Sequence, residues 1–425
     1  MTFSLHVDAE LWRSSVESVL DRVEGVLTKG SPAAEGSADG PPSSSGVVPV
    51  IEGNGLGLGG HRLAAEAARL GVTTIAVPGP FDAAELLPHF GGELLVRQPW
   101  DHRDALATRA WEELDAQPGR RVIRTVASTE ALHRLSAQPA EPMPVVLQGR
   151  TSMHGPGLRE PDLDALLADD TIRSALRSGR LIVRGAVLDL PSRQPNSPQV
   201  TTFSDSTTGG PPPGATNRVR ETWGWTAIWI RALAAVEQAG AELGAGAATM
   251  WVTTLTDAEM ADLHAALQMV PLRVLRGDQL WAVEPQALQA FGTVLAVQRV
   301  GRGIDIGDGQ RRTPREGYVV VVGGGSCHGV GVTGPSGTTS LRQRAHAAKS
   351  GAMGAIGKVR SPYVWADRPR WFAEPPGPTA SLVWLSDEEV REAMAEGHRI
   401  PAVGDQWLCR THLDLASFDR VLGLD

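Results

Sequence analysis

The chain has 425 residues, enough for two domains with sizeable cores. Its 42% hydrophobic and 21% charged residues are those of an ordinary folded protein, and a formal net charge of −8 with no basic block argues against nucleic-acid binding. No apolar run is long enough to cross a bilayer, and the opening MTFSLHVDAELWRSS lacks the apolar core of a signal peptide.

In chain order, Leu5-His6-Val7 reads as a short strand, and Asp8 can cap a helix from Ala9 to about Leu27. Residues 30–46 are rich in Gly, Ser, Pro and Ala and read as a linker. From Val47 the pattern is strand, loop, helix, repeated. Apolar runs at Val47–Ile51, Val72–Val77, Glu93–Arg97, Arg121–Val126, Pro144–Gln148, Leu181–Leu190, Ala248–Thr253 and Pro271–Leu275 alternate with helical patterns such as Asp162–Arg177 and Glu221–Ala239. This predicts an α/β fold, a (β/α)8 TIM-type barrel over 47–285. The polar, Pro/Gly-rich insertion 192–217 interrupts the series. Residues 286–425 carry short strands and turns, including one expected at Gly329–Thr333, and predict a mostly antiparallel C-terminal β-domain. Residues 1–46 form the N-terminal strand, helix and linker.

Val47–Gly71 is the stretch with chemical promise. A buried strand runs into a turn holding Gly53, Gly55, Gly57, Gly59 and Gly60, and a helix follows. Such a turn can cradle an anion, or it can serve tight turns and close packing alone. Glu52 stands at the C-terminal end of the strand, where α/β barrels place chemistry. It can act as a base or ligand, or pair with an arginine. Lysine occurs only as Lys29, Lys349 and Lys358, so lysine-dependent catalysis has three candidates, none well placed by sequence. Only Cys327 and Cys409 are present, which fits a reducing cytoplasm; Cys327 in Ser326-Cys327-His328 reads as a buried structural thiol. His61 reads as a solvated helix residue, and Trp365, Trp371 and Phe372 beside Arg368 and Arg370 read as packing or interface residues before ligand stackers.

The segments PVIEGNGLGLGGHRLAAEAARLGVTTIAV, RTSMHGPGL, Gly277 with Leu280-Trp281, GYVVVVGGGSCHGVGV, SPYVWADRPRWFAEPP and SFDRVLGLD resemble, in this order, the alanine racemase family of fold-type III pyridoxal-phosphate (PLP) enzymes. The resemblance is closest to an actinobacterial branch and covers nearly the whole chain. It implies a barrel followed by a β-domain that also takes up the N-terminal strand. It further implies a homodimer and a PLP cofactor held by a lysine in a K-x-N-x-Y-G-x-G motif. Here that motif reads Glu52-Gly53-Asn54-Gly55-Leu56-Gly57-Leu58-Gly59, so Glu52 replaces the lysine and Leu56 the tyrosine. A carboxylate cannot form an imine, so no covalently held PLP is expected at this position.

Other positions depart as well. Gly155, after His154, takes the place of the arginine that follows Thr151-Ser152-Met153, and Thr254 takes that of a histidine. If Gly277 is the phosphate-binding glycine, Leu275 holds the position of the pyridine-nitrogen arginine, and Arg276 is one residue out of register. Asp308 stands for the tyrosine that is the second base. Carboxylates in water are very weak bases toward a Cα proton. The expectation is therefore an alanine racemase-like pseudoenzyme that has lost PLP-dependent racemisation and binds a ligand or regulates a partner. Two readings stay open: an active amino-acid racemase, and an enzyme with carboxylate-based chemistry using Glu52, His154 and Asp308. Pocket candidates are Glu52, Asn54, Leu56, His154, Thr254, Arg276, Gly277 and Asp278. The predicted partners are an unidentified small molecule and a second copy of the chain, with no metal, nucleic acid or membrane.

Overall fold

The computed structural model describes residues 2–28, 46–117, 121–137, 142–193, 210–238, 240, 243–244, 246–267, 270–332 and 359–424. The three lysines, nearly all of the linker 30–46 and residues 194–209 of the insertion lie outside the described residues. The chain divides into two compact units. One comprises Met1–Ser15, Gly53–Gly59 and Ala282–Asp425; the other comprises Val16–Glu52 and Gly60–Trp281.

β1 (Phe3–Val7) and α1 (Ala9–Thr28) open the chain, and the Asp8 side chain accepts from the Leu11 amide at 3.0 Å. The barrel unit then runs β2 (Val47–Pro49), α2 (Gly60–Arg69), β3 (Thr74–Val77), α3 (Pro80–Leu86), β4 (Glu93–Pro99), α4 (Ala105–Asp115), β5 (Val122–Val126), α5 (Thr129–Ala137) and β6 (Met143–Gln148). It continues through α6 (Glu160–Ala168), α7 (Asp170–Arg177), β7 (Leu181–Leu188), α8 (Asn217–Gln238), β8 (Met250–Thr253), α9 (Asp257–Ala266), β9 (Leu272–Arg276) and α10 (Asp278–Trp281). All strand pairs are parallel, in the order β2-β9-β8-β7-β6-β5-β4-β3. A parallel bridge between Val50 and Ala76, with the Ile51 amide donating to the Ala76 carbonyl at 2.8 Å, joins the first strand to the last. The (β/α)8 barrel expected from the strand–helix alternation is therefore closed.

Val48, Val50, Ala76, Leu95, Ile123, Val146, Val187, Trp251 and Leu275 fill the barrel interior as one buried cluster. The predicted helix Asp162–Arg177 is two helices. Asp169 adopts extended backbone (φ −72°, ψ 125°), and its carboxylate accepts from the Thr171 and Ile172 amides. An aspartate that caps a new helix start competes with continuation of the preceding helix, and here it wins without Gly or Pro. One buried ion pair ties down the roots of the insertion. Arg218 and Glu259, 8% and 4% exposed, meet at 2.9 Å. Arg218 also donates to the Pro191 and Ser192 carbonyls, and the Thr216 hydroxyl donates to Glu259 at 2.6 Å.

The second unit contains β10 (Leu288–Val300), β11 (Asp305–Ile306), β12 (Arg311–Arg312), β13 (Gly317–Gly323), β14 (Arg360–Trp365), β15 (Arg368–Phe372), β16 (Ala380–Ser386), α11 (Asp387–Ala395), β17 (Gln406–Cys409) and β18 (Arg420–Leu422). Its sheet runs β13-β16-β15-β14-β17-β10-β1-β18, and a further β10–β13 pairing closes six of these strands into a ring. The 13-residue β10 has three partners, because its first half pairs with β17 and β1 and its second half with β13, across a bulge between Val294 and Ala296. Every pairing is antiparallel except β1 with β18. Phe3, Val320, Tyr363, Phe372, Leu385 and Trp407 belong to the core.

Gly329–Thr333 does not form the expected strand. Gly329 (φ 77°) ends a single 3-10 turn and Gly331 (φ 81°) follows; Thr333 lies outside the described residues. Cys409 is buried in the core, where desolvation pushes its thiol above the ordinary range; Cys327, expected to be buried, is instead exposed, because the 3-10 turn Ser326–His328 turns only His328 inward. The Cys409 thiol is thus inert packing. Arg370 is buried with its guanidinium 4.8 Å from the centroid of the Trp365 ring, so Trp365 packs within this unit.

Candidate functional site

Side chains of a strand alternate in direction, so each interior residue is followed two positions on by another that faces the barrel axis. One step beyond the apolar cluster, toward the C-terminal ends of the strands, this places Glu52, Pro78, Arg97, Thr125, Gln148, Asp189, Thr253 and Gly277. The layer is mostly polar. Its centre is a chain of contacts: Arg97 Nη1 lies 3.2 Å from Glu52 Oε2, and Arg97 Nη2 lies 3.4 Å from Asp189 Oδ1. Gln148 Nε2 donates to Asp189 Oδ2 at 3.2 Å.

Local structure sets these side chains. The β4/β5 ladder jumps from Val96 opposite Arg124 to Pro99 opposite Thr125, so Arg97 and Gln98 form a bulge that re-aims the arginine. The Thr151 hydroxyl donates to the Asp189 carbonyl at 2.6 Å, and Thr253 Oγ1 accepts from the Leu190 amide at 2.9 Å, fixing the end of β7. Gly277 leaves room for Glu52: a Cβ there would stand 3.2 Å from Glu52 Oε1. Two carboxylates to one guanidinium leave the layer net negative. Glu52 is half-exposed and Gln148 is buried, so the layer is reachable from the mouth and closed beneath.

Glu221 holds the next loop. Its carboxylate accepts from the Ser152 amide at 2.5 Å and the Ser152 hydroxyl at 2.8 Å, and this anchors Thr151 to His154. His154 and Thr254 both carry left-handed backbone, φ 56° and 57°. Non-glycine residues pay strain in that region, most of all a β-branched one.

No protein-family model matches the sequence, and no curated protein does. Solved structures do match. Alanine racemase from Bartonella henselae, whose structure holds covalently bound pyridoxal phosphate, superposes with a TM-score of 0.60 over 99% of this chain and 100% of that one, at 13% identity. The fold is that of the alanine racemases. The enzyme from Corynebacterium glutamicum gives 0.57 over 99% and 98% of the two chains at 14% identity, and that from Streptomyces coelicolor A3(2) gives 0.57 over 97% and 89% at 14%. At such identities the likeness is one of fold.

Within the alanine racemase fold, the sequence-predicted residues scatter. Glu52 and Gly277 lie together in the polar layer. Arg276 does not: it follows the inward-facing Leu275 and so points outward. There Nη1 meets Gln279 at 3.4 Å and Nη2 meets Asp257 at 3.5 Å, and burial holds its pKa below the ordinary arginine value. Asp278 is exposed at the start of the four-residue α10. His154 is exposed, and Thr254 is half-buried.

Three candidates belong to the other unit. Asn54 is committed to structure, its amide donating to the Leu413 carbonyl at 2.7 Å and also to that of Ala416, while its own carbonyl accepts from Gly57 and Gly59. Gly57 is required there, because a Cβ would lie 2.3 Å from the Phe418 ring and φ is 81°. Leu56 is buried with φ 58°. Asp308 is exposed on the β11–β12 turn; its amide and that of Gly309 donate to the buried Glu374 carboxylate at 3.2 and 3.0 Å. Arg97, Gln148 and Asp189 are the site residues that motif reasoning missed. Their signal was the two-residue alternation from Leu95, Val146 and Val187.

Proposed function

We propose that this protein keeps the alanine racemase fold without Schiff-base PLP chemistry and uses the C-terminal mouth of its barrel to bind a small molecule. The observation that carries this reading is the engagement of Glu52. The residue at the end of the first barrel strand is a carboxylate, and it is held by Arg97, which Asp189 holds in turn. No amine stands there to form an imine. PLP does not fit the residues present. A net-negative layer opposes a phosphate dianion, and the guanidinium of Arg276 faces α9 and α10, where Asp257, Met260 and Gln279 occupy it.

Strain supports retention of a working pocket. Thr254 and His154 hold costly backbone conformations at the barrel mouth, a kind of strain that clusters at binding sites. No helix among the described residues is long and apolar enough to cross a membrane. A homodimer remains the oligomer implied by the family resemblance. An assay for interconversion of L- and D-alanine with saturating added PLP tests the loss of function. Turnover no higher than that of a Glu52→Ala control is expected; turnover that disappears in the control would refute the reading.

A further inference from the structure

The ligand that the polar layer would take can be argued from its unused hydrogen-bonding groups, resting on the reading of the mouth as a binding site without PLP. Gln148 is 5% exposed, yet its Oε1 has no partner among the described residues. The orientation of its amide follows from its neighbour, because Nε2 donates to the Asp189 carboxylate, which can only accept. A buried carbonyl oxygen without a donor costs free energy, so its persistence calls for a donor from outside the protein, an ordered water or the donor group of a ligand that displaces it. Gln148 follows the inward-facing Val146 by two residues and therefore faces the same layer as Glu52 and Asp189.

The rest of the layer sets the charge of that donor. Glu52 and Asp189 share one guanidinium, and each carboxylate retains lone pairs beyond its contact with Arg97. Thr125 and Thr253 spend their hydroxyls on backbone, to the Val96 carbonyl at 2.7 Å and from the Leu190 amide at 2.9 Å. What the layer offers is acceptors in a net-negative setting. We infer that the barrel mouth binds a small organic cation through a primary ammonium group, which donates to Gln148 Oε1 and to the carboxylates of Asp189 and Glu52. An ammonium carries three donors and no acceptor, matching this set; a phosphate or carboxylate head would meet acceptors of its own kind.

Calorimetric titration of the full chain without PLP tests this, using n-butylammonium chloride, tetramethylammonium chloride and inorganic phosphate as probes. Saturable binding of n-butylammonium alone is expected, because tetramethylammonium has the charge without N–H donors. Gln148→Leu replaces the orphaned acceptor with an apolar side chain of similar size and should weaken binding about tenfold. Should that variant not fold, Asp189→Asn, at a partly exposed position, should give a loss of the same order. Phosphate binding at the mouth, n-butylammonium binding unchanged in either folded variant, or no binding of n-butylammonium would each overturn the inference. An imine with added PLP would instead overturn the underlying reading, so the two failures are separable.

Discussion

Arg97 reaches Glu52 across an intervening strand, with Nη1 3.2 Å from Oε2. The layer residue between them is Pro78, which puts no polar group in the way, and the bulge at Arg97 and Gln98 supplies the reach. With Asp189 on the other side of the guanidinium, Arg97 orders two carboxylates that would otherwise repel. The C-terminal end of the first barrel strand thus belongs to a charge network.

The strain at Thr254 can be measured. Its φ of 57° is one a β-branched residue rarely adopts, and a glycine would relieve it. Thr254→Gly should raise the stability of the barrel unit by about 0.5–1 kcal/mol in urea unfolding, after the entropic cost of glycine is subtracted. A loss of stability would mean that the hydroxyl or methyl makes a compensating contact.

Glu374 organises the turn that carries Asp308. Its carboxylate accepts from two consecutive amides, and Gly307 makes room for it, since a Cβ there would lie 2.2 Å away. Glu374→Ala should cost about 2 kcal/mol. Hydrogen exchange at the Asp308 and Gly309 amides should accelerate; unchanged protection there would show that the turn holds itself.

Much of the architecture was legible in the sequence because strand–helix alternation and separated motifs agree. The eight barrel strands fall where the apolar runs place them, and β10, β13, β16 and β17 of the antiparallel β-domain overlap theirs, but Gly329–Thr333 does not form the expected strand and β14 and β15 were not marked by apolar runs. The site was less legible. Arg97, Gln148 and Asp189 end strands that read simply as apolar runs, and only their parity with Leu95, Val146 and Val187 marks them as inward-facing. The same parity turns Arg276 outward, against its place beside Gly277 in the chain. The break at Asp169 was hidden because an aspartate is tolerated inside a helix, and only its capping bonds reveal the restart.

Acid should weaken the anchor of the insertion. Burial raises the Glu259 pKa, but hydrogen bonds from Thr216, Thr256 and Arg218 outweigh this and leave it below 4.5. A carboxyl with a depressed folded-state pKa contributes fully above its unfolded value, and the contribution is lost as pH falls below about 4.5 through the folded value. Glu259→Gln, which also strands a buried guanidinium, should cost about 3 kcal/mol at pH 7. The gap between variant and wild type should narrow in acid; a gap independent of pH would contradict the linkage.

The most direct test of the central claim is the visible spectrum of the purified protein titrated with PLP and then treated with borohydride. The engagement of Glu52 by Arg97 predicts only the spectrum of free PLP, and no cofactor fixed to the chain after reduction. An imine absorbance band that borohydride abolishes, leaving the cofactor attached to a lysine, would contradict it.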